Sequence, residues 1–177
     1  MIGGGDRIHR LRPLDRVLDV GLAADPDAPA LLGAEGGLTW RQLDARAETL
    51  AAAYRERGLG TGDRIASLMP NRELLVVHYL ACLRGGLVAV PLNYRYMWPE
   101  IEHALDVSGA TTLVLHRERW DDVDRQALAG RLAHGVIEYG AGEASAGGLE
   151  ALAAAPPPPA RRPVPDPDAP AAIFFTS

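Results

Sequence analysis

Apolar positions along the chain fall into two alternating rhythms, helical stripes and short unbroken runs. Leu14, Val17, Leu18 and Leu22 share a helical face behind Pro13, a residue suited to a first turn. A helix is therefore expected from Pro13 to about Ala24, where Asp25-Pro26 stops it. Ala30-Leu31-Leu32 reads as a short strand, and Glu35-Gly36-Gly37 as the turn that returns the chain through Leu38, making a small hairpin. Thr39 and Gln42 have the spacing of a capping box, in which each side chain satisfies an orphan backbone donor. Leu43, Ala47, Leu50, Ala51 and Tyr54 continue at helical spacing until Gly58-Leu59 supplies a left-handed stop.

Arg64 to Leu68 is the next expected strand; Pro70-Asn71 closes it, with Asn71 placed to cap a helix from Arg72 to Arg84. That helix is apolar nearly all round and so is expected to be buried, ending at Gly85-Gly86. Leu87 to Leu92 reads as a buried strand, Pro99 to Ser108 as a helix stopped by Gly109, and Thr111 to Leu115 as a strand. A weaker helix spans Trp120 to Ala133, a strand Val136 to Tyr139, and a short helix Leu149 to Ala154. Prolines crowd residues 156–170 and exclude helix and central strand there, so this stretch is expected to be an extended linker. Residues 171–177 then form an apolar run, a buried strand that closes on the hydroxyls of Thr176 and Ser177. Strand and helix alternate throughout, which predicts an α/β fold: a mostly parallel sheet with helices on both faces. The expected organisation is an α/β subdomain over 1–155, the linker over 156–170, and the strand over 171–177.

A length of 177 residues suits one compact domain. Eighteen basic against 23 acidic residues give a net charge of -5, which argues against nucleic acid or an anionic membrane as the main partner. Cys82 is the sole cysteine, so no intrachain disulfide or multi-cysteine metal site forms, and a cytoplasmic location is expected. The longest apolar stretch, Leu74 to Leu83, is interrupted by His78 and falls short of the roughly 18 residues a membrane span needs.

Several groups invite a chemical reading and then lose it. Gly58-Leu59-Gly60-Thr61-Gly62 follows a helix and precedes a strand, the reverse of a dinucleotide fingerprint, so it reads as a helix stop and turn. His9, His78, His103, His116 and His134 lie on different elements without metal-ligand spacing. His78 is expected to be a hydrogen-bonded core residue and Cys82 an inert core thiol. Asp121, Asp122 and Asp124 read as a solvated helix start. The loop Asn93 to Trp98 is rich in large side chains and sits where open α/β sheets build sites, although Tyr94 and Trp98 are expected to pack over the sheet edge.

One ordered set of residues goes further. Leu38-Thr39-Trp40-x-x-Leu43, Gly62-Asp63-Arg64-Ile65-Ala66, Pro70-Asn71, Gly85-Gly86 with Val90-Pro91-Leu92-Asn93, and Asp168 with Ile173-Phe174-Phe175-Thr176-Ser177 together resemble the AMP-forming adenylating enzymes. This superfamily comprises acyl-CoA synthetases, peptide-synthetase adenylation domains and luciferases. Each piece alone is weak; the order and spacing from about Pro13 to Ser177 make the set specific.

The resemblance implies the N-terminal subdomain of an acyl-CoA synthetase-like fold. It also implies an AMP-forming carboxylic acid-CoA ligase: a substrate carboxylate attacks the α-phosphate of ATP, pyrophosphate leaves, and the acyl group passes from AMP to a thiol. Implied cofactors are ATP, Mg²⁺ and coenzyme A. Thr176 and Ser177 match the first two hydroxyl positions of the family's phosphate loop, which would bind the ATP phosphates and Mg²⁺. The rest of that loop, the acyl pocket, the ribose-binding aspartate and the C-terminal lysine do not occur in the sequence, so the chain alone is expected to be inactive, with no catalytic residue within it and exposed apolar surface that favours self-association. Pro91-Leu92-Asn93-Tyr94-Arg95 looks more like the acyl-CoA and aryl-CoA branch than the peptide-synthetase domains, which tend to carry an acidic residue where Asn93 stands. Arg95 is the implied contact to the phosphates of CoA; alternatively it pairs with an internal carboxylate or lies on the surface. Two other functions stay open: an adenylation domain that loads a carrier protein, and a naturally short, noncatalytic interaction module.

Overall fold

The structure is a computed structural model that describes residues 14–33, 36–142, 145–156, 166 and 168–175. Strands β1 (Pro29–Gly33) and β2 (Gly36–Thr39) form the expected antiparallel hairpin. Helix α2 (Trp40–Glu56) starts on the capping box: the Thr39 hydroxyl accepts from Gln42 N–H at 3.3 Å, and Gln42 Oε1 accepts from Thr39 N–H at 2.9 Å. It stops at Gly58, whose φ of +92° lets Leu59 N–H donate to the Tyr54 carbonyl at 3.1 Å and Gly58 N–H to that of Arg55 at 2.9 Å.

Four parallel strands, β3 (Arg64–Leu68), β4 (Val88–Pro91), β5 (Thr112–His116) and β6 (Val136–Tyr139), lie in the order β4-β3-β5-β6. Because side chains alternate along a strand, each strand contributes to two separate apolar layers. Ile65, Val114 and Ile137 face α2, α3 (Glu73–Gly85) and α6 (Leu149–Ala154). Ala66, Leu68, Leu113 and Leu115 face α4 (Trp98–Ser108) and α5 (Arg125–Arg131). The chain runs from β3 through α3 to β4 on one face, then back across β3 through α4 to β5 on the other. Such a reversal opens a crevice at the carboxyl ends of the strands.

Four expectations need correction. The first helix is a 3-10 turn at Leu14–Arg16 followed by a short α1 (Asp19–Ala24); Leu18 is buried while Leu14 and Val17 are exposed. Gly21 lies against the Trp40 ring, so close that a Cβ there would come within 2.2 Å of it, and this contact sets which face of α1 turns inward. Helix α3 begins one residue later than expected, with Arg72 at the N-cap and no side-chain cap; Asn71 lies before it. Glu73 in the first turn instead pairs with Arg46 at 2.6 Å and complements the helix dipole. The helix expected from Trp120 to Ala133 splits into a 3-10 turn, Arg117–Asp122, and α5, because the Asp124 carboxylate accepts from Gln126 N–H and Ala127 N–H and starts a new helix.

The fourth correction concerns the final apolar run. It is a half-buried edge segment with a single bridge rather than a buried strand: Ala89 N–H donates to the Ala171 carbonyl at 3.0 Å, and Ile173 N–H to that of Ala89 at 2.9 Å, parallel to β4. It lies at the open side of β4, so Phe174 faces solvent. Residues 157–165 and 167 of the proline-rich stretch, and Thr176 and Ser177, lie outside the described residues.

Candidate functional site

The loop from Leu92 to Met97 leaves β4 at the carboxyl edge of the sheet. Asn93 shapes it twice: its side-chain Oδ1 accepts from Arg95 N–H at 3.0 Å, and its carbonyl from Tyr96 N–H at 2.9 Å. Glu100 accepts from Met97 N–H at 2.7 Å and fastens the loop to the start of α4. Exposure alternates along this turn: Tyr94 and Tyr96 pack inward on the layer that holds Trp98, while Asn93, Arg95 and Met97 face solvent. Tyr94 and Trp98 thus take the packing role expected of them. Arg95 makes no ion pair among the described residues, and its guanidinium stands on the surface.

Beside this loop, the ends of three strands are joined by aromatic rings. His116, the last residue of β5, is buried, with Nδ1 3.2 Å from the Tyr94 hydroxyl. Tyr139, the last residue of β6, meets the His116 ring edge-on at 5.1 Å. Gly140 has φ +92° and closes on the other side of His116, where a Cβ would lie 2.8 Å from Nε2. Burial, followed by the nearby Glu118 carboxylate, raises the phenol of Tyr94 above its ordinary pKa.

Arg119, in the 3-10 turn after β5, reaches back to the same loop. Its Nη2 donates to the Tyr96 carbonyl at 2.6 Å, its Nε to Asp122 at 2.5 Å, and its guanidinium lies 5.1 Å from the centre of the Tyr94 ring. Sequence reasoning missed His116 and Arg119 as parts of this edge. The one signal for His116 was its place directly after the apolar run Leu113 to Leu115, at a strand's carboxyl end. An open groove of about 990 Å³ adjoins the row at Tyr139, running between the β1–β2 hairpin and the start of α3 and lined in part by Leu31, Arg72, Leu75 and Tyr79.

The last segment joins the loop's packing layer. Ile173 and Phe175 lie against the layer that includes Tyr94, Tyr96 and Trp98, while Ala172 packs on the opposite layer. Among the described residues no group of three or more His, Cys, Asp or Glu side chains gathers as a metal cage. His78 and Cys82 are core residues, as expected. His78 Nδ1 lies 2.7 Å from the buried Tyr54 hydroxyl, burial pushes the imidazole down to about 3, and the Cys82 thiol is pushed up by the same burial.

An open parallel sheet with helices on both faces, and a loop and last segment packed on one shared layer, defines the class of open α/β subdomains. Residues 18–177 match the model of the AMP-binding enzyme family, and the chain belongs to that family. It is 40% identical over 107 residues to a feruloyl-CoA synthase of an Amycolatopsis species, an overlap that is 60% of this chain and 22% of that protein. It is 32% identical over 126 residues to a fatty acid–[acyl-carrier-protein] ligase of Streptomyces coeruleorubidus, covering 70% of this chain and 24% of that one. In three dimensions it is similar to ATP-bound MatB from Rhodopseudomonas palustris, with a TM-score of 0.70, 29% identity, and coverage of 82% of this chain and 28% of that chain. The chain thus spans about a quarter of the length of these proteins.

Proposed function

We propose that this chain forms the N-terminal portion of an ATP-dependent, AMP-forming acyl-CoA synthetase that activates a carboxylate as its adenylate, releases pyrophosphate, and transfers the acyl group to CoA. Thr176 and Ser177 contact the phosphates of ATP, and Arg95 those of CoA. The observation that carries this reading is the parallel docking of the last segment beside β4. Ile173 and Phe175 share a layer with the loop that holds Arg95, and the chain heads toward the strand carboxyl ends as it approaches Thr176.

Each half of the reading rests on simple chemistry. A pair of hydroxyls can donate to phosphate oxygens, and an exposed guanidinium offers a fork of donors with no carboxylate among the described residues to satisfy first. Two hydroxyls are too small a donor set to hold a resident divalent ion, but they suit Mg²⁺ carried in on the triphosphate, where it would neutralise phosphate charge. The 177 residues alone are expected to carry out neither half-reaction, a reading supported by the match to only about a quarter of each relative's length.

The similarity to an acyl-carrier-protein ligase favours a second reading of the acceptor, a carrier-protein phosphopantetheine in place of CoA. The discriminating experiment supplies the full-length protein with acid, ATP and either CoA or a phosphopantetheinylated carrier protein, and follows thioester formation. CoA thioester as the main product supports the proposal; transfer to the carrier protein alone overturns it in favour of the second reading.

A further inference from the structure

We propose that Arg119 is a positioning residue for Arg95, holding the loop after β4 so that the Arg95 guanidinium presents to the phosphates of CoA; this rests on the reading of Arg95 as the CoA contact. The two arginines never touch in this picture. Arg119 instead holds the residues on either side of Arg95: it donates to the carbonyl of Tyr96 at 2.6 Å and stacks on the ring of Tyr94 at 5.1 Å. Among the described residues, the other backbone hydrogen bonds of residues 92–97 run to the Ser67 carbonyl at the loop's base, stay within the loop, or go to Glu100 and Ile101 at the start of α4. Arg119 and the Tyr94–His116 contact are what fasten its apex to the end of β5.

The physical design supports a positioning role. The Arg119 side chain is only 10% exposed, and Asp122 at 2.5 Å neutralises it, so the guanidinium is held in one orientation with its Nε and Nη2 donors both engaged. With Tyr94 and Tyr96 both drawn inward, the residue between them has to project outward, and Arg95 does so. Lysine at position 119 would keep the charge but not the fork, and so would hold either Tyr96 or Asp122, not both in the same geometry.

The test compares CoA with pantetheine, which carries the reactive thiol without the nucleotide phosphates, as acceptors for the full-length ligase. The readout is the ratio of kcat/KM for CoA to that for pantetheine, which cancels any change in the folded fraction. Arg95→Ala and Arg119→Met are both expected to lower this ratio by about ten-fold or more, and Arg119→Lys by an intermediate amount. A fall with Arg95→Ala and an unchanged ratio with Arg119→Met overturns the positioning role and leaves the CoA contact standing. An unchanged ratio with Arg95→Ala overturns the CoA contact itself, and the positioning role with it. If Arg119→Met does not accumulate as soluble enzyme, Arg119→Lys decides alone, and an unchanged ratio there overturns the inference.

Discussion

The Tyr54 hydroxyl lies 2.7 Å from Nδ1 of His78, with both residues fully buried, and this bond ties α2 to α3 across the layer beneath the sheet. The ring nitrogen has no solvent to turn to. Tyr54→Phe keeps the volume of the ring and leaves that nitrogen only the weak Cys82 Sγ contact at 3.9 Å, so it is expected to destabilise the chain by about 1–3 kcal/mol, measured as a lower urea midpoint with an unchanged slope.

The same burial makes stability depend on pH. His78 titrates at about 3 in the folded chain, below its ordinary 6.5, so between these values the unfolded chain binds the proton and the folded chain does not. Its contribution is complete above pH 6.5 and is lost as pH falls toward 3. Stability should fall on acidification in that window, by at most about 1.4 kcal/mol per pH unit from this group. His78→Gln should flatten the dependence between about pH 6.5 and 5, above the range where carboxylates titrate; an equal slope in the variant would show that other groups set it.

Arg84, with a side chain only 2% exposed, is held between Asp44 and Glu48 on α2, the latter at 3.3 Å. Arg84→Met removes the buried cation from between the two carboxylates and should cost about 3–5 kcal/mol by chemical denaturation. Adding Asp44→Asn and Glu48→Gln should recover part of that loss, because it removes the repulsion between two carboxylates that Arg84 offsets. No recovery would show that packing of the arginine stem carries the effect.

What could be read in the sequence was what local chemistry decides. The Thr39–Gln42 capping box and the left-handed glycines at 58, 86 and 109 appear where expected, because each acts on its own few residues. The unbroken runs of β3 and β5 were legible for the same reason. Distant contacts were not. The face of α1 is chosen by Gly21 against Trp40, and α5 begins where Asp124 finds two N–H groups to cap. The site divides along the same line. Arg95 could be singled out from its loop, whereas the meeting of Tyr94, His116 and Arg119 depends on β4 and β5 ending at the same edge of the sheet with β3 between them.

The chain by itself should self-associate. Leu32 is 82% exposed and Phe174 75%, one beside the open groove and the other on the segment at the sheet's edge. Sedimentation velocity across a range of concentrations is expected to show concentration-dependent oligomers, reduced by Leu32→Lys and Phe174→Ser. A single monomeric species at the highest concentration would contradict this.

Carboxylate adenylation, the activity proposed for the full-length protein, is read most directly by ATP–pyrophosphate exchange over a panel of fatty and aromatic acids. Exchange is expected to require a carboxylic acid and to be absent when the 177-residue chain is assayed alone. Exchange that proceeds without any acid, or no exchange with any member of the panel, would contradict it.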